Sequence, residues 1–267
     1  YLCNIGINLT CLANNVKQEH IRDQFILFTF NFILHLGQNP AILFSKRKIF
    51  SMLGMDKEPW TTKWRRRFTS IPILLMFMGV YVCLLPLTLC FSFVFDLYRR
   101  NKFASSRCAI MLAFYLILSN YCLGVSIVLW FIGGACIRPQ NRFFLLLNYR
   151  LQWFWAKSLL EFGFKLYNMR LCVEGQENLK NGPYLLFMRH SSLADAILAA
   201  NLASRTYGML LRYVLKKEML WEPCFDVVGN RIPNYFVNRS AGDNRTEIEN
   251  VGKLAQNLSA REGVVIY

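Results

Sequence analysis

Two long stretches without a charged residue constrain this chain more than anything else in it: residues 68–95 and residues 108–137. A helix rises 1.5 Å per residue, so about 20 apolar residues cross the ~30 Å hydrocarbon layer of a bilayer, and both stretches exceed that. Pro72 and Pro86 are expected to bend the first, which a helix in lipid tolerates when neighbours satisfy the freed carbonyls. Gly124, Ser126, Gly133 and Gly134 give the second small faces for close helix packing. Residues 97–106 join the two, which predicts a transmembrane hairpin over 67–138. The competing reading is a pair of buried helices in a large soluble core.

Charge sharpens the picture. The 267 residues are 54% hydrophobic, yet 31 Lys and Arg face 16 Asp and Glu, a net charge of +15. This combination excludes an ordinary soluble domain, a disordered tail and a collagen-like chain. A nucleic-acid binder can be this basic but would not carry two membrane-length apolar runs, so no nucleic acid is expected as partner. The surplus suits an anionic membrane surface and anionic substrates. Lys57, Lys63, Arg65, Arg66 and Arg67 precede the first run, and Arg138, Arg142 and Arg150 follow the second; the connecting loop holds Arg99, Arg100, Lys102 and Arg107. The positive-inside rule then places both ends of the hairpin in the cytosol. Residues 1–66 are a poorly defined basic segment without a signal-peptide pattern, in which Met52 or Met55 could be the start of translation.

Nine cysteines without Cys-x-x-Cys spacing read as buried apolar thiols rather than a disulfide or zinc framework. His20, His35 and His190 form no pair with ligand spacing, so no metal site is expected.

From residue 139 to 170 Trp and Phe alternate with Arg and Lys at helical spacing, as in Phe143, Phe144, Trp153, Trp155, Lys157 and Lys165. This describes either an amphipathic helix in the headgroup layer or a core helix of the domain that follows. Residues 171–267 alternate short apolar runs with helical stretches, the signature of an α/β domain. Strands are expected at Tyr184 to Met188, Tyr213 to Leu215, Tyr235 to Val237 and Val264 to Tyr267, with helices at Leu193 to Ala203 and from a cap at Asp243 to about Ala260.

Chemistry concentrates at His190 and Asp195, which flank Ser191-Ser192-Leu193-Ala194. Five positions along a regular helix rotate two side chains about 140° apart, too far to pair. His190 must therefore sit in the turn after the strand if Asp195, in the first helical turn, is to reach it. Such a carboxylate would fix the imidazole tautomer and leave the other nitrogen as a general base. The spacing alone leaves a structural histidine as the alternative.

The stretch from Val173 to Arg239 resembles the glycerolipid acyltransferase family, the lysophosphatidic acid (1-acylglycerol-3-phosphate) acyltransferases in particular. Three blocks carry the resemblance, in order. Glu174-Gly175, Asn178-Leu179 and Gly182-Pro183 lead into an apolar strand and the His190-x4-Asp195 box. Lys216-Lys217-Glu218-Met219-Leu220-Trp221-Glu222-Pro223 matches a lysine before Glu-Leu-Leu-Trp-x-Pro. Pro233-Asn234-Tyr235-Phe236-Val237-Asn238-Arg239 matches a later block that ends on arginine. Arg189, Pro233 and Asn238 stand where the family usually has Asn, Gly and an acidic residue. The family's next block, Pro-Glu-Gly-Thr-Arg, would follow directly on Gly263-Val264-Val265-Ile266-Tyr267, so the catalytic domain is expected to be incomplete in the 267 residues.

The resemblance implies a hairpin followed by an α/β acyltransferase domain, with His190 as base, Asp195 orienting it, and Arg239 and Lys216 holding the phosphate of the acceptor. It implies a lysophospholipid acceptor, an acyl-CoA or acyl-carrier co-substrate, membrane lipids as surroundings and no cofactor. Glycerol-3-phosphate, another lysophospholipid such as lysocardiolipin, and an inactive lipid-binding scaffold are the alternatives.

Overall fold

The structure, a computed structural model, describes residues 7–10, 58–132, 142–179, 182–188, 193–205, 207–238 and 244–267. His190, Arg239 and Asp243, like Met52 and Met55, lie outside the described residues.

Two helices, α1 (Trp60–Arg99) and α2 (Ala104–Ile132), are long and apolar enough to cross a membrane. At 40 residues α1 is about 60 Å long, so it extends past its apolar run at both ends. Pro72 and Pro86 both lie inside it. The outer face of α1 is a band of exposed apolar side chains, among them Phe68, Ile73, Met76 and Phe91. Buried Asp96 closes the hairpin tip. It accepts from the Ser105 and Ser106 backbone N–H at 3.0 and 2.9 Å, and thereby satisfies donors in the first turn of α2 that no helical carbonyl can reach.

Helix α3 (Arg142–Tyr167) packs beside α2 and antiparallel to it. Tyr121 meets Phe154, Phe114 stacks on Phe162 with ring centres 3.9 Å apart, and the Tyr167 hydroxyl donates to Cys108 Sγ. Leu147, Leu151 and Leu159 of α3 bury against Leu118, Cys122 and Leu129 of α2. On its other side, Ala156 and Leu160 enter the core of the following domain. One helix thus belongs to two apolar clusters, which explains why nine of its side chains between Phe144 and Leu160 are buried despite its many cations.

The following domain is built on a four-stranded sheet with the order β3-β6-β4-β5, counted as β3 (Tyr184–Phe187), β4 (Leu210–Lys216), β5 (Tyr235–Val237) and β6 (Glu262–Ile266). Every pairing in it is parallel. Between the strands run α4 (Leu193–Ala199), α5 (Pro223–Val227) and α6 (Asn244–Leu254). One sheet face, with Tyr184, Leu186, Leu211, Tyr213 and Val265, buries against α3 and α4; on the other, Leu254 packs over Val264. Both faces are covered, as a parallel sheet requires. Two short strands, β1 (Ile7–Thr10) and β2 (Arg170–Val173), form a separate antiparallel pair.

The four expected strands are the four strands of the sheet. Differences lie at the edges. β4 starts at Leu210, because Arg212, an unpromising strand residue, is buried with an ion pair to Glu262 at 3.1 Å and a bond to Leu254 O at 2.9 Å. The small-residue helix after β3 turns π-helical over Ala200–Arg205. α6 stops at Leu254, short of Ala260, where the chain turns through Asn257 at φ 54°. The cysteines differ too: Cys122 and Cys224 are buried, but Cys83, Cys90, Cys108 and Cys172 are exposed thiols, Cys83 and Cys90 on α1 and Cys108 on α2 beside Tyr167.

Gly182 shows why the turn before β3 admits no side chain. A Cβ there would lie 2.6 Å from the Ala260 carbonyl oxygen, against backbone that has no room to move.

Candidate functional site

Because the sheet is parallel, all its strands deliver their C-terminal ends to one edge, where open α/β sheets bind ligands. β3 ends at Phe187, three positions before His190; β4 ends on Lys216; β5 ends at Val237, two positions before Arg239; β6 ends beside Tyr267. Lys216 and Val237 are register partners, so β4 and β5 finish level with each other.

Asp195 lies in the first turn of α4 and is partly buried. The structure gives it a neighbour that the sequence did not suggest, Tyr267. The Tyr267 hydroxyl donates to Ala196 O at 2.6 Å, one residue beyond Asp195. Burial and then the negative charge of Asp195 push the Tyr267 phenol well above its ordinary range. The Tyr267 ring stacks on Tyr213 of β4, with centroids 6.5 Å apart and planes 12° from parallel. The first turn of α4 is therefore tied to the end of β6 and, through the ring of Tyr267, to the middle of β4. Lys216 is exposed at the sheet edge, within reach of an anion from solvent.

Beyond Lys216 a 3-10 turn (Lys217–Trp221) leads into α5. Pro223 occupies the first turn of α5, where its missing N–H costs nothing, and Glu222 caps the helix through Oε2, which accepts from Phe225 N at 2.9 Å. Glu222 Oε1 is buried without a hydrogen-bond partner, and burial raises this carboxyl to about 7. The folded protein holds that proton between the ordinary value of 4.5 and about 7, where an unfolded chain has lost it. Stability contributed here is complete below about pH 4.5, falls as pH rises through this window and levels off above it, a change of about 3 kcal/mol. Unfolding midpoints measured from pH 5 to 8 should show this fall, and Glu222→Gln should flatten it; an unchanged slope in the variant would place the titration elsewhere.

α5 also locks the domain to the hairpin. Asp226, fully buried, accepts from Arg66 at 2.8 Å, from Arg67 Nε at 3.0 Å and from Asn230 at 2.8 Å. Arg67 also donates to Asp226 O at 2.8 Å, and Arg66 is shared with Glu58. Cys224 Sγ donates to Ser119 O of α2. In the sequence, Arg65 to Arg67 read only as charges that orient a span; nothing there pointed to a carboxylate beyond Trp221-Glu222-Pro223.

Among the described residues no cluster of three or more His, Cys, Asp or Glu could hold a metal ion. No curated protein and no solved structure matches the chain. Residues 170–267, which contain the whole parallel sheet, match the family model described as Acyltransferase, and this supports an enzyme that transfers acyl groups.

Proposed function

We propose that the protein is a membrane-bound acyltransferase that moves a fatty acyl group from an acyl thioester, of CoA or a carrier protein, to the free hydroxyl of 1-acylglycerol-3-phosphate in phospholipid biosynthesis. The observation that carries this reading is the Acyltransferase match over residues 170–267, in a domain joined to two helices of membrane-spanning length. His190 takes the proton of the acceptor hydroxyl as its oxygen attacks the thioester carbonyl. Collapse of the tetrahedral intermediate expels the thiolate, which recovers the proton from the imidazolium. Asp195 orients the imidazole and stabilises its charged form. No acyl-enzyme is required, because the hydroxyl is itself the nucleophile, and no cofactor enters the reaction.

Lys216 and Arg239 hold the acceptor's phosphate in this reading, and Arg239 can grip two of its oxygens at once. Arg239→Ala should raise KM for the phosphate-bearing acceptor at least tenfold and leave KM for the acyl donor within about twofold. An effect confined to the donor, or an equal loss with a monoacylglycerol acceptor that has no phosphate, would refute the assignment. Both ends of the hairpin lie on the cytosolic side, so a cysteine at Ser240 should react with an impermeant probe only from that side.

A further inference from the structure

Where α1 begins, its first turns and the 3-10 turn after β4 enclose a cavity of about 320 Å³. Arg65, Thr62 and Thr69 line it from α1, and Lys217, Glu218 and Trp221 from the opposite side. Arg66 and Glu58 also reach its wall, but they are spent on each other and on Asp226. Arg65 and Lys217 are exposed and form no ion pair among the described residues. Two cations on two separate elements thus face one space, with the hydroxyls of Thr62 and Thr69 beside them and Glu218 as the single uncommitted carboxylate.

The depth of this cavity is marked by its neighbours. Trp221, which lines it, is 61% exposed, and Trp60 and Phe68, on another face of the same turns of α1, are 72% and 74% exposed; large aromatic side chains left open at the end of an apolar span sit at headgroup level. On the helix face that carries Thr62 and Thr69, the exposed residues Ile73 and Met76 continue from the cavity into the apolar run. A ligand that fits must therefore be anionic and phosphate-sized at one end and hydrocarbon at the other.

We infer that this cavity binds the phosphate headgroup of a resident membrane glycerophospholipid, held by Arg65 and Lys217, with the lipid's acyl chains laid along α1. The site is separate from the one assigned to the acceptor, since adjacent residues in extended chain point to opposite sides and Lys216 ends β4 while Lys217 opens the turn. It rests on the placement of α1 in lipid but not on the identity of the acceptor or on catalysis.

The test uses the full chain in neutral detergent micelles with dihexanoyl-phosphatidylglycerol as probe, read by the shift of the thermal unfolding midpoint with probe concentration. Saturable stabilisation is expected, with dihexanoylglycerol, which lacks phosphate, giving none. Arg65→Gln with Lys217→Gln should weaken the apparent affinity about 10-fold or more, since each basic group near an anionic headgroup is worth roughly a fivefold change. Arg239→Ala should leave it unchanged. Both substituted side chains are exposed, so folding is preserved, and an unaltered midpoint without probe verifies it. Equal binding by the double variant, loss of binding in Arg239→Ala, or equal stabilisation by inorganic phosphate at the same concentrations would each overturn the inference, the last by making this a free-phosphate site.

Discussion

Replacing His190 by alanine in the full chain should lower acyl transfer by about 10² to 10⁴, the usual contribution of a positioned general base. Membrane insertion and the unfolding midpoint should be unchanged if the imidazole serves catalysis rather than the core of the sheet, which Leu186, Leu211, Val264 and Val265 fill. Asp195→Asn should also impair turnover, for an amide can accept the ring's hydrogen bond but cannot stabilise an imidazolium. The two effects should be far from additive if they serve one proton transfer. Near wild-type turnover by the His190→Ala protein would sink the mechanism, whatever the behaviour of Asp195→Asn.

The second large effect concerns Asp226. Asp226→Ala leaves the guanidinium groups of Arg66 and Arg67 without the buried carboxylate that joins them to α5, and breaking a buried pair from one side typically costs ~3–5 kcal/mol. The loss should appear as a lower unfolding midpoint in micelles. Asp226→Asn, which keeps an acceptor oxygen but no charge, should fall between the two. A change below about 0.5 kcal/mol in Asp226→Ala would mean that the arginines find other partners and that the junction is held by the apolar contacts of Cys224, Val227 and Val228 alone.

The strands and the two apolar helices were legible because each is a local pattern. A run such as Tyr184 to Phe187 announces itself by composition and by the turn residues around it. Of the residues expected in the site, Lys216 ends β4 and Asp195 opens α4, while His190 and Arg239 lie outside the described residues. What stayed hidden has no local signature. Asp226 meets Arg67 across 159 positions, and Tyr267 meets Ala196 across 71. Arg212 looks like a surface residue in any window of sequence, and only the partner strand carrying Glu262 explains its burial. Exposed cysteines on the hairpin were misjudged for a related reason: apolar neighbours in sequence usually mean burial in protein, but here they include helix faces that are exposed among the described residues.

The long reach of the Asp226 contact also sets a timetable. At the ~5–20 residues per second of protein synthesis, the ribosome needs about 8 to 30 seconds to pass from Arg67 to its carboxylate 159 positions later. For all that time Arg66 has only Glu58, eight positions earlier, as its carboxylate partner, and Arg67 has no aspartate to meet. The joint between the domain and the first helix therefore closes late in synthesis, and until Asp226 emerges Glu58 alone occupies one of the two guanidinium groups that will meet it.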